Sequence, residues 1–159
     1  MSELTFADIH SMFEYDLETG HLLKNGRRVG TPHSLGYLKV KIRRRTYFVH
    51  RLVFLYCHGR WPVQVDHINR NKSDNRIENL RECDYSQSSG NRGKCVNNTS
   101  GFKGVHYQRS VGLWRAQVAY RVIGHFKSAL EAARAYDKGA IEHFGEEFAV
   151  TNRSLGLMS

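Results

Sequence analysis

Residues 65–80, VDHINRNKSDNRIENL, constrain the fold more than any other stretch of the chain. They set Asp66, His67, four asparagines, Asp74, Glu78 and three basic residues around only a few aliphatics. A segment this polar cannot supply a hydrophobic core. It reads either as a solvated loop or as a hairpin that presents a metal ligand and a general base to an anion. Its flanks decide how much structure surrounds it.

On the N-terminal side, FVHRLVFLYCH (48–58) is a dense apolar run. Val49, Val53 and Cys57 follow helical spacing, as do Leu52 and Tyr56, so a buried helix ending near Gly59 is predicted. Before it, Leu38, Val40 and Ile42 alternate with Tyr37, Lys39 and Lys41, which is a strand with one apolar and one basic face. Thr5–Phe13 reads as a short helix and Lys24-Asn25-Gly26 as a hairpin turn. Downstream, DYSQSSGNRG reads as a short helix with Asp84 as N-cap. GKCVNNTSG reads as a linker.

The last third changes character. FKGVHYQ and LWRAQVAYRVIGHF read as strands. Trp114, Ala116, Val118 and Tyr120 fall on one face, with Arg115, Gln117, Ala119 and Arg121 on the other. SALEAARAYDKGAIEHFG follows as a helix, with Ser128 and Glu131 as a capping box. Leu130, Ala133, Tyr136 or Asp137, Ala140 and Phe144 form its inner side. Such a helix would cover the Trp114 face and leave Arg115, Gln117 and Arg121 bare.

The 159 residues suit one medium domain or two small ones, and the net charge of +9 marks a partner that is a polyanion. Lys39, Lys41, Arg43, Arg44, Arg45 and Arg51 place six cations in thirteen residues with no acid between them. No stretch has the apolar length of a membrane span, and MSELTFADIH lacks the pattern of a signal peptide. Three dispersed cysteines without a CxxC pair read as reduced thiols. Nucleic acid therefore leads over a membrane, and a cytoplasmic location is expected.

Phosphodiester hydrolysis needs a base for water, a Lewis acid on the phosphate and stabilisation of the leaving oxygen. Asp66 is a hard oxygen ligand suited to Mg²⁺ or Mn²⁺, and His67 can take a proton near neutral pH. Asn79 can hydrogen-bond across a hairpin and fix an imidazole. Neighbours on a strand point to opposite faces, so Asp66 and His67 can share a site only where the strand ends or twists.

HRLVF (50–54), VDHINRNKSDNRIENLR (65–81) and the following SQSSGNR resemble the HNH family of phage homing endonucleases. The resemblance covers about residues 20–93. It implies a ββα-metal fold that cuts DNA with one divalent ion. At the matching positions Asp66 would be the metal ligand, His67 the general base and Asn79 the residue that orients the hairpin and His67. The family's second protein ligand, usually Asn or His, falls on Ser88, a poorer donor; Asn91 lies one helical turn later. That departure leaves open a weakened or inactive nuclease that acts only as a sequence-specific DNA-binding protein.

GFKGV, GLWRAQV, IGHF, EAARAYDKGAIEHFG and the closing Ala149-Val150-Thr151-Asn152 resemble the AP2 DNA-binding domain of plant transcription factors. The resemblance implies a three-stranded sheet laid in the major groove. Lys103, His106, Arg115, Gln117 and Ala119 would then face DNA.

The expected chain is α+β. A ββα-metal nuclease region spans residues 1–92, a linker 93–101, and a three-stranded antiparallel sheet with one helix 102–153. Its DNA contacts are expected at Lys39, Lys41, Arg43, Arg44, Arg51, Arg92, Lys103, His106, Arg115, Gln117 and Arg121. The partner is double-stranded DNA, cut one strand at a time by a monomer. Neither a membrane nor a small-molecule cofactor is expected beside the metal ion. If phage-encoded, the protein would work inside a bacterial host cell.

Overall fold

The computed structural model describes residues 4–158. The chain divides into two compact units between Asp84 and Tyr85.

The first unit opens with α1 (Phe6–Met12), started by a reciprocal capping box between Thr5 and Asp8. Three strands follow as one antiparallel sheet: β1 (Glu14–Asp16), β2 (His21–Lys24) and β3 (Arg27–Arg28). Asn25 and Gly26, with φ of 50° and 71°, make the predicted two-residue turn, because both positions need left-handed backbone. A second sheet holds β4 (Thr31–Pro32), β5 (Leu38–Ile42) and β6 (Arg45–Phe48). β5 alternates as predicted at its ends: Leu38 and Ile42 are buried, whereas Lys41 is exposed. Arg43 and Arg44 form its turn with φ of 46° and 69°, a conformation that costs non-glycine residues strain.

Helix α2 (Val49–His58) leads from β6 and ends at left-handed Gly59, whose N–H reaches the Leu55 carbonyl at 3.0 Å. Its Leu52, Val53 and Leu55 are almost wholly buried against Ile9, Leu22, Val65 and Leu80. Each such side chain contributes about 1.5–3 kcal/mol on leaving water. The polar stretch is then displayed on this core. β7 (Gln64–His67) pairs antiparallel with β8 (Leu80–Cys83), in the register Asp66 with Arg81 and His67 with Leu80. The connection closes with a 3₁₀ turn at Ile77–Asn79.

The second unit begins with α3 (Tyr85–Gly90), which packs on the last helix. A Cβ on Gly90 would sit 2.7 Å from Cγ of Phe144, so glycine lets the two helices meet. That packing is why the structural division falls before α3 rather than after residue 92. The sheet comprises β9 (Val105–Gln108), β10 (Leu113–Val118) and β11 (Arg121–Phe126), with β10 central. Helix α4 (Ala129–Phe144) carries the predicted Ser128–Glu131 capping box. It buries Ala132, Ala133, Tyr136, Gly139, Ala140 and Phe144. Leu130, placed on that inner side by periodicity, is 39% exposed because it lies in the first turn.

β10 stops at Val118, earlier than its alternation implies. Ala119 and Tyr120 take φ of 44° and 68° and form a two-residue turn. Tyr120 is therefore 95% exposed instead of lying on the apolar face.

A glycine contact in the first unit is directly testable. A Cβ on Gly20 would lie 2.3 Å from the Arg76 nitrogen and 2.6 Å from the Asn75 carbonyl carbon, and φ is +71°. Backbone cannot swing aside as a side chain does. Gly20→Ala should lower unfolding stability by about 2–4 kcal/mol in urea titrations; a loss under about 0.5 kcal/mol would contradict this close approach.

Candidate functional site

Asparagines organise the loop that follows β7. Asn79 is buried and works in two directions. Its Oδ1 accepts from the Asn69 N–H at 2.9 Å, and its Nδ2 donates to the Asp74 carbonyl at 2.8 Å. Its own carbonyl accepts from Ile68 N at 2.9 Å. Asn69 Nδ2 donates to Asp74 Oδ2 at 2.7 Å, and Asn71 Oδ1 accepts from the Ser73 hydroxyl at 2.8 Å. Arg76 grips Asp74 with two guanidinium N–H groups, at 2.9 and 2.8 Å, and holds its carboxyl well below the usual carboxylate range.

This loop carries Asn75 to His67. Asn75 is 2% exposed, and its Oδ1 lies 3.1 Å from His67 Nε2. Asn75 Nδ2 donates to the Ser73 carbonyl at 3.4 Å, which places the amide oxygen toward the ring. An amide oxygen only accepts, so Nε2 donates and the lone pair of the neutral ring falls on Nδ1. Tyr15 fixes the loop from outside: its hydroxyl donates to the Asn75 carbonyl at 3.0 Å and accepts from Ile77 N at 2.8 Å.

His67 is 3% exposed, and burial lowers its proton affinity. The Asn75 bond and the carboxylates of Asp66 and Asp74 oppose that shift, and Lys72 adds to it. Around the ring stand His50, edge-on at 5.1 Å between centroids, and Tyr37 at 5.8 Å. His50 is itself buried and pushed down to about 3, first by desolvation and then by the charge of His67. Its Nδ1 has no hydrogen-bond partner among the described residues.

Asp66 and His67 leave β7 on alternate faces: Val65 and His67 are buried, Gln64 and Asp66 half-exposed. His67 is the last residue of the strand, and the chain turns at once, with Arg70 N on the His67 carbonyl at 2.8 Å. Across β8, Arg81 directs Nε and Nη2 to one oxygen of Asp66, Oδ2, at 3.0 and 2.8 Å. Among the described residues no group of three or more His, Cys, Asp or Glu side chains is placed to hold a metal ion. A Mg²⁺- or Mn²⁺-type site does not need such a cage. These ions keep several waters and accept one or two carboxylates plus substrate phosphate, and Asp66 is a carboxylate of that kind, held in place by Arg81.

The sequence pointed to Asp66, His67 and Asn79 as candidates. Asn79 was expected to orient the hairpin and His67; its amide braces the loop after β7, and Asn75 is the asparagine that hydrogen-bonds the His67 ring. Nothing in composition separates Asn75 from the other three asparagines of the stretch. Ser88 lies on α3 and is half-buried, and Asn91 just beyond is buried.

The cations sort into distinct groups. Lys41 and Arg44 are exposed and Lys39 half-buried, without ion pairs among the described residues. Arg43 pairs with Asp8 at 2.7 Å, so its turn position commits it to α1. Arg51 donates to the carbonyls of Val63 and Pro62 at 3.1 and 2.9 Å and stands over Trp61, so it pins the loop before β7. Arg92 is exposed.

In the second unit, His106, Arg115 and His125 form one row across β9, β10 and β11. Gln117 shares their face and accepts a hydrogen bond from Arg115, whose Nε is buried with no partner among the described residues. Two expected contacts belong elsewhere. Lys103 is buried: Nζ donates to the carbonyls of Gly90 at 3.0 Å and Val150 at 2.9 Å beside the Tyr136 ring. Its backbone N–H donates to Asn152 Oδ1, and Asp137 accepts from both nitrogens of Asn152, so a lysine here anchors the C-terminal segment. Arg121 pairs with Val118, and residues directly opposite share a face. It therefore projects to the α4 side, lining a cavity with Gly139, Glu142 and His143.

A family model described as HNH endonuclease matches residues 47–89, from the end of β6 into α3. That match supports an HNH nuclease. No curated protein and no solved structure matches the chain.

Burial of neutral His50 predicts acid lability. Its folded proton affinity is depressed, so the unfolded chain binds a proton below about pH 6.5 that the folded chain refuses. Stability should fall as pH drops from 7 to 5, by about 2 kcal/mol from His50 alone. Urea unfolding followed by Trp61 fluorescence in a Trp114→Phe background measures it. His50→Phe should remove that share; an unchanged slope would contradict the buried neutral state.

Proposed function

We propose that this chain is a divalent-metal-dependent DNA endonuclease of the HNH homing type that nicks one strand, with the second unit as its sequence reader. The observation that carries the reading is His67: buried, disfavoured from charging, and committed through Nε2 to Asn75. A ring held this way keeps Nδ1 as the proton acceptor. His67 takes the proton of a water attacking the phosphodiester. Asn75 Oδ1 then faces a ring that has become cationic, and its bond to Nε2–H strengthens as charge develops.

Asp66 would hold the ion, Mg²⁺ or Mn²⁺, with Arg81 fixing the carboxylate. The ion, when bound, supplies Lewis-acid stabilisation of the phosphate and leaving oxygen. Lys39, Lys41, Arg44 and Arg92 contribute backbone contacts, which position DNA without reading it. In the AP2-like reading of the second unit, Arg115 and Gln117 meet base edges, guanine and adenine being their usual partners, with His106 alongside.

Supercoiled plasmid with Mg²⁺ or Mn²⁺ tests this. Nicked circles should form before linear DNA, and EDTA should abolish cutting. His67→Ala should lower the rate by about 10²–10⁴-fold with little change in binding. Cutting by His67→Ala at the parent rate would defeat the proposal. Binding should weaken with salt at a log–log slope near −5 if about six phosphates are neutralised; a flat profile would remove DNA as the partner.

A further inference from the structure

From Asp66 through Arg81 the chain carries four cations, Arg70, Lys72, Arg76 and Arg81, and the structure treats them differently. Arg76 is bound to Asp74 and Glu78, and Arg81 to Asp66, so the charge of each is answered by a carboxylate. Arg70 is an exposed turn residue with φ of +65°. Lys72 is the exception. Among the described residues it is held in place by neutral groups only: its Nζ donates to the Leu35 carbonyl at 3.0 Å and stands 4.7 Å from the centre of the Tyr37 ring. Its stem passes Gly36, where an added Cβ would meet Lys72 Cδ at 3.6 Å.

These contacts define where the ammonium sits without consuming its charge. A carbonyl takes one of its three N–H groups, and a ring face attracts the cation without accepting a proton. Tyr37 ties that position to the catalytic ring, lying 5.8 Å from His67 and 5.0 Å from His50 between centroids. A cation on the opposite side of Tyr37 from the candidate base, close enough for its charge to act on that ring, exposed and with donors left over, suits one ligand: an anion that must lie near that base.

We propose that Lys72 binds a non-bridging oxygen of the DNA phosphate lying beside His67 and so positions that phosphate for attack. The inference rests on the nuclease reading, because it assigns the anion to DNA. Leu35 and Tyr37 keep the ammonium in register before DNA arrives, which lowers the ordering cost that a free lysine would meet on binding. The match to a phosphate is that of a point charge rather than a fork, so arginine should substitute in part.

Two readouts on the full chain separate the inference from the reading it rests on. The first is acetylation of lysines by a trace amine-reactive reagent, with and without linear duplex DNA in EDTA, read by mass spectrometry. Lys72 should lose reactivity at least about fivefold when DNA binds, with Lys138 of α4 as internal reference. The second is cutting of supercoiled plasmid at saturating DNA, where Lys72→Gln should slow the rate at least about tenfold and Lys72→Arg should recover most of it, with circular dichroism unchanged. Unchanged Lys72 reactivity in the presence of bound DNA overturns the inference whatever the cutting result. Protection with full-rate cutting by Lys72→Gln overturns the positioning role. Protection in a parent chain that cuts nothing upholds the phosphate contact and places the failure in the nuclease reading.

Discussion

The hydrogen bonds of the Asn79 amide, one to each side of the loop after β7, are the constraint on which the candidate site depends. A buried amide left without partners costs about 1–3 kcal/mol for each unmet group, against a net return of about 1 kcal/mol for each bond made. Asn79 is therefore stable in place only while Asn69 and the Asp74 carbonyl stay where they are. The same geometry brings Asn75 into the interior, where its oxygen meets the His67 ring. Removing Asn79 would not strip a group from the reaction. It would release the strap that lets a second asparagine act.

Asparagine suits these positions for a reason that aliphatic residues and acids cannot share. Its amide gives and accepts at one site without carrying charge. A carboxylate at position 75 would raise the proton affinity of His67 and bias it toward the charged ring. An aliphatic side chain would bury well but leave Nε2 unanswered. The Asp74–Arg76 pair is partly exposed, and such pairs contribute little stability by themselves. Its role is geometric: it holds Asp74 so that the backbone carbonyl stays turned toward Asn79.

How much of this was legible depended on whether a residue's task is local. The capping box of α4, the left-handed stop of α2 and the Asn25-Gly26 turn are decided by neighbours in sequence, and all three could be read directly. Arg121 could not. Its face depends on whether β10 continues or turns at Ala119–Tyr120, and neither residue is a usual left-handed type. Lys103 and Arg51 misled for a different reason: cations read as surface groups until a carbonyl pair takes their donors. Asp66, His67 and Asn79 stood out as a pattern, whereas Asn75 looked like one more polar loop residue. What distinguishes it is burial, which becomes visible only when Tyr15 and the backbone at Gly20 close over it.

The chemistry proposed for this site turns on the protonation state and tautomer of the His67 ring. Long-range ¹H–¹⁵N correlation spectra of the histidine side chains at neutral pH report both. His67 should appear as a neutral imidazole with its proton on Nε2 and a pyridine-like Nδ1, and Asn75→Ala should broaden or shift that signature. A His67 ring found as the imidazolium, or as the tautomer protonated on Nδ1, would contradict the assignment of Nδ1 as the base.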